Sequence, residues 1–220
     1  MTIADTDTQA TVAVGPRTRV RVFNRADVDT WQAWPDYAEH LLVGTSPRRM
    51  PPEQRSRWFE DITQRQRQVP FAIEDASGLL IGRIFLRHVR PEEGSAVLGI
   101  DLHPGYLSRG YGSEALAAFL HHYFDTLNFQ RMLLSVAAHN VRAHRCYQSL
   151  GFVRVGSHWD AHIGPEVSGA PQFARVRTLF RRGPLGFESL FYDMRLERGE
   201  WKSSTGCGGR CRRGAFERIE

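Results

Sequence analysis

Apolar and polar residues alternate along several short stretches of the chain, a pattern typical of β-strands with one buried face. The first stretch lies at about 17–23, with the sequence RTRVRVF. The next three are VPFAIED, LLIGRIFLRHV and VLGIDLH, and only the short turn segments ASG and PEEGSA separate them. Short turns between consecutive strands predict an antiparallel meander. RMLLSVAA, FVRVGSHW and FESLFYDMRLE are the remaining predicted strands.

Apolar positions three to four residues apart predict helices between these strands. DVDTWQAWPDYAEHLLVG predicts a helix broken near Pro35, and PPEQRSRWFEDITQRQRQ predicts a second helix. SEALAAFLHHYFDTL predicts an amphipathic helix packed on the sheet. Its apolar face consists of Leu116, Leu120, Tyr123 and Leu127. NVRAHRCYQSLGF predicts a short helix, because Asn140 at its start and Gly151 just past its end are a matching pair of cap residues.

The order of these elements predicts a single mixed α/β domain over residues 17–198. Residues 1–16 are small and polar, and we expect a disordered N-terminal tail. Residues 160–186 are rich in Gly, Pro and Arg and predict an irregular insertion before the last strand. Residues 199–220 predict a flexible basic C-terminal tail.

Composition narrows the function classes. The chain of 220 residues has a net charge of +5, and Lys202 is its one lysine, so arginine carries nearly all the positive charge. Arginine suits phosphate recognition, but no basic stripe or known motif predicts nucleic-acid binding. No apolar run is long enough to span a membrane, and no secretory signal is present. Three cysteines without metal-ligand spacing predict neither disulfides nor a metal site. We therefore expect a cytoplasmic protein.

The segment HPGYLSRGYGSEAL, residues 103–116, carries candidate chemistry. Gly110 and Gly112 precede a predicted helix, and such a loop can present backbone N–H groups to an anion. Residues 110–115 also satisfy the dinucleotide fingerprint G-x-G-x-x-G/A, but a loop of several residues separates them from the preceding strand, and that fingerprint requires the strand to end at the first glycine. A phosphate-binding loop is favoured, and an ordinary tight turn into a helix remains an alternative.

A second motif follows about 25 residues later. The segment from Asn140 to Phe152 resembles the N-x-x-A-x-x-x-Y-x-x-x-G-F segment of the GNAT superfamily of N-acetyltransferases, and the two linked motifs together are similar to its RimJ/RimL-like branch. This resemblance covers about 17–159 and resumes at 187–197. It implies a GNAT-type α/β fold, with a mixed, mainly antiparallel central sheet flanked by helices and splayed between the fourth and fifth strands.

The resemblance also implies a cofactor site. Acetyl-CoA, the co-substrate, would lie between the strands VLGIDL and RMLLSV, with its pyrophosphate on the loop backbone and its pantetheine amides paired to the edge of 98–102. The implied cofactor-binding residues are Leu102, Leu107, Ser108, Arg109, Gly110, Tyr111, Gly112, Ser113, Asn140 and Tyr147. Leu107 departs from the family pattern, in which Gln or Arg often begins the loop. Because the family's contacts to the pyrophosphate are mainly from backbone groups, we expect pyrophosphate binding to be retained.

By the same resemblance, an amine attacks the thioester directly in a ternary complex, and Tyr147 is the candidate acid for the departing thiolate. A phenol with a pKa near 10 can return a proton to a thiolate of about 8.5. The base is less defined, because Val97 stands where the RimJ/RimL branch often carries Glu. Asp101 is the candidate base, directly or through water; His103 shares its strand face, and His139 and water are alternatives.

The acceptor is not specified by these motifs. It is expected to be a primary amine, either a protein N-terminus or a small molecule. Four arginines in 160–186 predict either a wall for a carboxylate-bearing acceptor or a solvated basic loop: Arg175, Arg177, Arg181 and Arg182. The oligomeric state is not specified either, and a homodimer is one alternative. The alternatives in other classes are a non-catalytic CoA-ester sensor and, less favoured, a dinucleotide-dependent oxidoreductase.

Overall fold

The computed structural model describes residues 10–42, 45–65, 68–163 and 173–205. A nine-stranded sheet forms its centre, with the order β1-β2-β3-β4-β5-β6-β9-β7 and β8 paired to β9. The strands are β1 Thr11–Val14, β2 Thr18–Val22, β3 Val69–Asp75, β4 Leu80–Arg90, β5 Ser95–Leu102, β6 Arg131–Ala137, β7 Val153–Ala161, β8 Phe180–Gly183 and β9 Gly186–Glu197. The helices are α1 Arg25–Gln32, α2 Pro52–Glu60, α3 Tyr111–His121, α4 Val141–Ser149 and α5 Arg198–Thr205.

The predicted meander is confirmed as β3, β4 and β5, which pair antiparallel in sequence order. All strand pairs of the described residues are antiparallel except β5 and β6, which pair parallel. This parallel pair contains the predicted splay. The predicted fourth and fifth strands correspond to β5 and β6, because an additional strand, β1, precedes the first predicted one. The mixed, mainly antiparallel α/β sheet flanked by helices is therefore confirmed.

Helices cover the sheet on two faces. One core cluster contains Leu116, Leu120 and Tyr123 of the α3 segment, all fully buried against the sheet. α3 ends at His121 and continues as a π-helical turn over His122–Thr126. A second cluster packs Val28 and Trp31 of α1 on Ala72 and Leu80, with Trp58 of α2 beside them. The site therefore lies on a sheet whose two faces are held rigidly by separate cores.

The helix predicted across Pro35 is only partly right. α1 ends at Gln32, and the residues after Pro35 form turns instead of helix. The side chain of Arg49 binds the carbonyl oxygens of Gln32 and Trp34, which would otherwise lack partners at the helix end. Proline prevents continuation because its ring clashes with the preceding turn.

The predicted irregular segments also need correction. Residues 11–14 form the edge strand β1, so disorder is wrong for residues 10–16, while 1–9 lie outside the described residues. Within 160–186, β7 extends to Ala161 and Phe180–Gly183 form β8. Arg198–Thr205 form α5, and Trp201 is buried in the main core, so the flexible tail is wrong for 199–205. These segments gain order from tertiary contacts, which local composition does not encode.

Candidate active site

A cleft opens where β5 and β6 separate. The two strands pair only over Ser95–Val97 opposite Arg131–Leu133, and beyond that point a cavity of about 650 Å³ lies between them. The N–H of His103 bonds Ile81 O, towards the β4 side. Because successive residues of a strand direct their N–H groups to opposite edges, those of Leu98, Ile100 and Leu102 face the cleft. This edge can add an extended, amide-containing ligand as a further strand.

The loop at the mouth of the cleft has the form of an anion cradle. Ser108 and Gly110 have positive φ angles of 59° and 84°, conformations that turn the chain sharply into α3. No side chain among the described residues caps the N-terminus of α3, so the N–H groups of its first turn are available to a ligand. A Cβ on Gly112 would lie 2.8 Å from Leu102 Cδ1. The glycine is therefore what lets the helix start lie directly against the end of β5.

Arg17 supports this loop from outside. Its Nε donates to Glu114 Oε2 at 2.9 Å, and both of its terminal nitrogens donate to the carbonyl oxygen of Arg109 at 3.4 Å. Its guanidinium lies 4.5 Å from the centroid of the Tyr111 ring. Neither Arg109 nor Tyr111 lines the cavity, whereas Leu107, Ser108, Gly110, Gly112 and Ser113 do. Arg109 and Tyr111 thus contribute through the loop's backbone and its support.

α4 brings the second motif to the same cleft. Asn140 Oδ1 accepts a hydrogen bond from the N–H of Ala143 at 3.2 Å, which leaves the amide NH₂ able to donate. Gly151 has a φ of 94° after the helix end, so both predicted caps are present. Tyr147 lines the cavity and is only 8% exposed. Burial is the main cause that raises the pKa of Tyr147 above its usual value, and electrostatic interactions with Cys146 and Asp101 add to it.

Asp101 lines the cavity from β5 and is held by an arginine. Arg83 Nε and Nη2 both approach Asp101 Oδ2 at 2.7 Å, and the guanidinium lies 3.9 Å from the centroid of the Trp31 ring. No hydrogen bond joins Oδ1 to the described residues. One carboxylate oxygen therefore serves the ion pair, while the other is left for a ligand.

The two histidine alternatives occupy different positions. His103 Nδ1 accepts from the N–H of Gly105 at 3.0 Å and His103 does not line the cavity. His139 lines the cavity, stacks on Phe180 at 5.3 Å, and has a buried Nδ1 without a hydrogen-bond partner among the described residues. Burial lowers the pKa of His139 to about 4. A weakly basic ring of this kind is a poor acceptor for the proton of an ammonium group.

The cavity-lining residues that the sequence reasoning missed include Tyr37, Phe85 and Arg87. The Tyr37 hydroxyl donates to Leu102 O at 2.7 Å, and burial raises the pKa of Tyr37 to about 12. Phe85 and Arg87 share one face of β4 with Arg83, so the alternation of β4 was the available signal. It did not reveal that this face forms a cavity wall, because that depends on the splay of β6.

The four arginines of 160–186 do not line the cavity in the described part of the chain. Arg181 Nε donates to the buried carboxylate of Glu188 at 2.7 Å, and its guanidinium lies 4.4 Å from the centroid of the Trp159 ring. The observation favours a role of Arg181 in holding β8 on β9. The insertion meets the cavity instead at His162 and Ile163.

The described residues lack two other kinds of feature. No cluster of His, Cys, Asp or Glu that could hold a metal ion occurs among them. None of the described helices is long and apolar enough to cross a membrane.

Comparisons with known proteins identify the arrangement. Residues 17–153 match the family model described as acetyltransferase (GNAT) domain. Among solved structures, spermidine N-acetyltransferase from Vibrio cholerae in complex with CoA and spermine matches with a TM-score of 0.64 at 17% identity, covering 84% of this chain and 98% of that one. A mutant of the Vibrio cholerae spermidine N-acetyltransferase SpeG matches with a TM-score of 0.63 at 19% identity, covering 86% and 98%. No curated protein matches the sequence significantly.

Proposed function

The chain belongs to the GNAT acetyltransferase family, and on that premise we propose that it transfers the acetyl group of acetyl-CoA to a primary amine of a small molecule by direct attack within a ternary complex. One observation carries the proposal. The unpaired edge of β5 and, after the loop 103–110, the uncapped N-terminus of α3 follow one another along one wall of the cleft. This wall offers strand pairing and then an anion site, in the order that pantetheine and pyrophosphate require.

The residues present fit acetyl-CoA. We assign its pyrophosphate to the backbone from Leu107 to Ser113 and its pantetheine amides to the edge of 98–102. Asn140 is assigned a further contact through its amide NH₂. Leu102 contributes its N–H, because its carbonyl oxygen already accepts from Tyr37. When bound, acetyl-CoA supplies an activated acetyl group and a thiolate leaving group.

The polypeptide positions the reacting groups and stabilises the negative charge that develops during the reaction. With the pyrophosphate fixed at the loop, the thioester falls near Leu98 and Gly99, at the deep end of the cleft. A backbone N–H of β5 then donates to the carbonyl oxygen as negative charge develops on it. Starting from the ammonium form, nitrogen loses two protons: one to the base before attack, and one as the C–N bond forms and the C–S bond breaks. The departing sulfur gains one proton, and the other passes from the base to solvent.

Tyr147 is the group that we place at the sulfur. Its raised pKa keeps the phenol protonated, but also moves it further from the pKa of a thiol, about 8.5. Complete proton transfer from Tyr147 is therefore less favourable than the expected pKa near 10 implied. Donation of a hydrogen bond to the developing thiolate fits this environment better, because a donor in a dry site needs no reorganisation.

Asp101 remains the proposed base. Its Oδ1 has no protein partner among the described residues, so it can accept the ammonium proton directly or through water. The ion pair with Arg83 fixes the direction of the carboxylate. His139 is less suited because burial depresses its basicity.

The small-molecule acceptor is supported by the fold match to an enzyme whose structure is described with CoA and spermine. A protein N-terminus is the alternative acceptor. The proposal also includes membership of the RimJ/RimL-like branch, a cytoplasmic location and, as an open alternative to a monomer, a homodimer. The continuous sheet supports one acetyltransferase domain over the assigned range 17–198, to which β1 adds an edge strand at Thr11–Val14.

The test is release of the CoA thiol from acetyl-CoA across a panel of small amines and N-terminal peptides. Amine-dependent release supports the proposal. Tight acetyl-CoA binding without release for any amine would instead identify a sensor, and preference for NAD(P) over CoA would support the oxidoreductase alternative.

Tyr147→Phe should lower kcat about 100-fold with acetyl-CoA affinity unchanged. Tyr192→Phe is the matched control, because Tyr192 lies against Arg154 and outside the cavity lining; equal kcat in the two variants removes Tyr147 from the chemistry.

A further inference from the structure

One face of β4 forms the acceptor wall of the cleft. Arg83, Phe85 and Arg87 alternate along this face, opposite Asp101, Gly99 and Val97 of β5. The Phe85 ring lies over Gly99, where a Cβ would approach the ring to 2.2 Å. The aromatic ring therefore covers the strand at the position assigned to the thioester, with one arginine on each side.

The two arginines differ in their partners. Arg83 is held by Asp101 through two contacts at 2.7 Å. Arg87 lines the cavity, and no carboxylate of the described residues lies within ion-pair distance of it. Its guanidinium carbon is 5.4 Å from the centroid of the Phe85 ring, so the side chain leans towards the centre of the wall. Arg87 is thus an exposed cation at the edge of the cavity, with its hydrogen-bond donors available to a ligand.

The backbone places Arg87 at the end of the regular strand. The register of β4 against β5 shifts between Arg87 and Arg90, and His88 has a φ of 46°. Such a bulge ends regular pairing and redirects the side chains that follow it. Arg87 is consequently the last residue of β4 that faces the cavity, and Arg90 instead pairs with Glu93 at 3.0 Å.

The charges along this wall form a dipole. Among the described residues that line the main cavity, Asp101 is the one carboxylate. Along a strand, residues of one face are about 7 Å apart, so Asp101 and the Arg87 position lie on opposite sides of Phe85. An acceptor with a cation at one end and an anion at the other matches this order.

We propose that Arg87 determines acceptor specificity, by binding the carboxylate of an amino-acid-type acceptor whose amine lies towards Asp101. This rests on the proposed function. A guanidinium binds a carboxylate through two parallel N–H···O contacts, which fix the orientation of the ligand. A second cationic end, as in a polyamine, would meet Arg87 with like charge and without a carboxylate to receive it.

A matched set of five-carbon amines tests this assignment in the full-length protein. 5-Aminopentanoate, pentylamine and cadaverine have the same chain length and a similarly basic amine, but end in an anion, a neutral group and a cation. We expect kcat/KM to fall in that order, with 5-aminopentanoate preferred over pentylamine by about 10- to 100-fold. Amino acids from 3-aminopropanoate to 6-aminohexanoate then measure the preferred separation of the two charges.

Variants at Arg87 make the test specific. Arg87→Ala should remove the preference for 5-aminopentanoate over pentylamine, through a fall in kcat/KM for 5-aminopentanoate. Arg87→Glu should bring cadaverine above 5-aminopentanoate. Arg90→Ala, a neighbouring exposed arginine outside the cavity, should retain the wild-type order.

Two results would overturn the assignment. One is a wild-type preference for cadaverine or pentylamine, which leaves the acetyltransferase proposal intact. The other is an unchanged order in Arg87→Ala. If no amine is acetylated, the proposed function fails separately, and calorimetric binding of the same three compounds to the CoA-loaded protein decides the role of Arg87. Binding must then follow the same order and lose it in Arg87→Ala, and any other order contradicts the proposal.

Discussion

The two walls of the cleft recognise ligands by different means. The wall assigned to the cofactor consists of main-chain groups, namely the edge of 98–102 and the first turn of α3. The wall assigned to the acceptor consists of side chains, chiefly Asp101, Phe85 and Arg87. Backbone donors depend on conformation and survive many substitutions, whereas a side-chain wall changes its chemistry with each one. This difference explains how one fold can keep a cofactor and vary its acceptor.

Arg17 and Tyr37 show how the main-chain wall is maintained. Arg17 binds Glu114 and the carbonyl oxygen of Arg109, and Tyr37 binds Leu102 O. Arg17 acts on the backbone from outside the cavity, whereas Tyr37 lines the cavity and binds the carbonyl oxygen at the end of β5. The wall therefore depends on positive φ angles and on these anchors more than on the side chains of the loop.

Among substitutions that distinguish the two walls, Gly110→Val is expected to have the largest effect, and it acts on the cofactor wall. A β-branched residue resists the φ of 84° that turns the chain into α3, so the N–H donors would lose alignment. We expect acetyl-CoA affinity, measured by calorimetry, to fall about 10- to 100-fold. Gly78→Val is the matched control, because Gly78 has a φ of 83° in the β3–β4 turn and does not line the cavity. Equal affinity loss in both variants would mean that strain alone, and not the cradle, is responsible.

An intermediate effect is expected from Gly99→Ala, which changes the acceptor wall from within the cofactor strand. The new methyl group would displace the Phe85 ring, since a Cβ at this position would lie 2.2 Å from the ring. Overpacking of this kind costs about 1–3 kcal/mol, and we expect kcat/KM for the amine to fall about tenfold with acetyl-CoA affinity retained. Adding Phe85→Leu should restore part of the loss. A parallel loss of acetyl-CoA affinity would show that the two walls are not independent.

The smallest effect is expected from Leu107→Gln, which restores the residue type often found at the start of the family's loop. Because the proposed contacts there come from backbone N–H groups, acetyl-CoA affinity should change by less than about threefold. Isothermal titration at fixed salt measures this directly. A gain of tenfold or more would show that the side chain at this position takes part in phosphate binding, and the cofactor wall would no longer be mainly backbone.

Local patterns predicted the fold where the chain carries its own signals. Alternation with short turns identified β3, β4 and β5, and the caps at Asn140 and Gly151 identified α4. Local composition failed for β1, β8 and α5. β1 is an edge strand that pairs with β2, and α5 is ordered through the burial of Trp201. Neither the strand partner nor the burial site is encoded within those short segments.

Site prediction followed the same division. The motifs identified the loop at Gly110 and Gly112 and the position of Tyr147, and the structure brings them to one cavity. The motifs did not identify Arg87, because an arginine on an alternating strand is ordinarily solvated. They also gave no information on the Arg83 partner of Asp101, which comes from the neighbouring strand.

The linear order of residues was sufficient to define most of the elements, the glycines that permit positive φ, and the family to which the two motifs point. These follow from interactions within a few residues, which a linear pattern records. Three features arise instead from the packing of the sheet: β5 and β6 separate after Val97, Asp101 is paired with Arg83, and Arg87 faces the cavity without an acidic partner among the described residues. Each of these depends on the register in which strands pair, and the separation of β5 and β6 depends also on the long connection between them through α3, so they are decided by the assembly of the whole sheet.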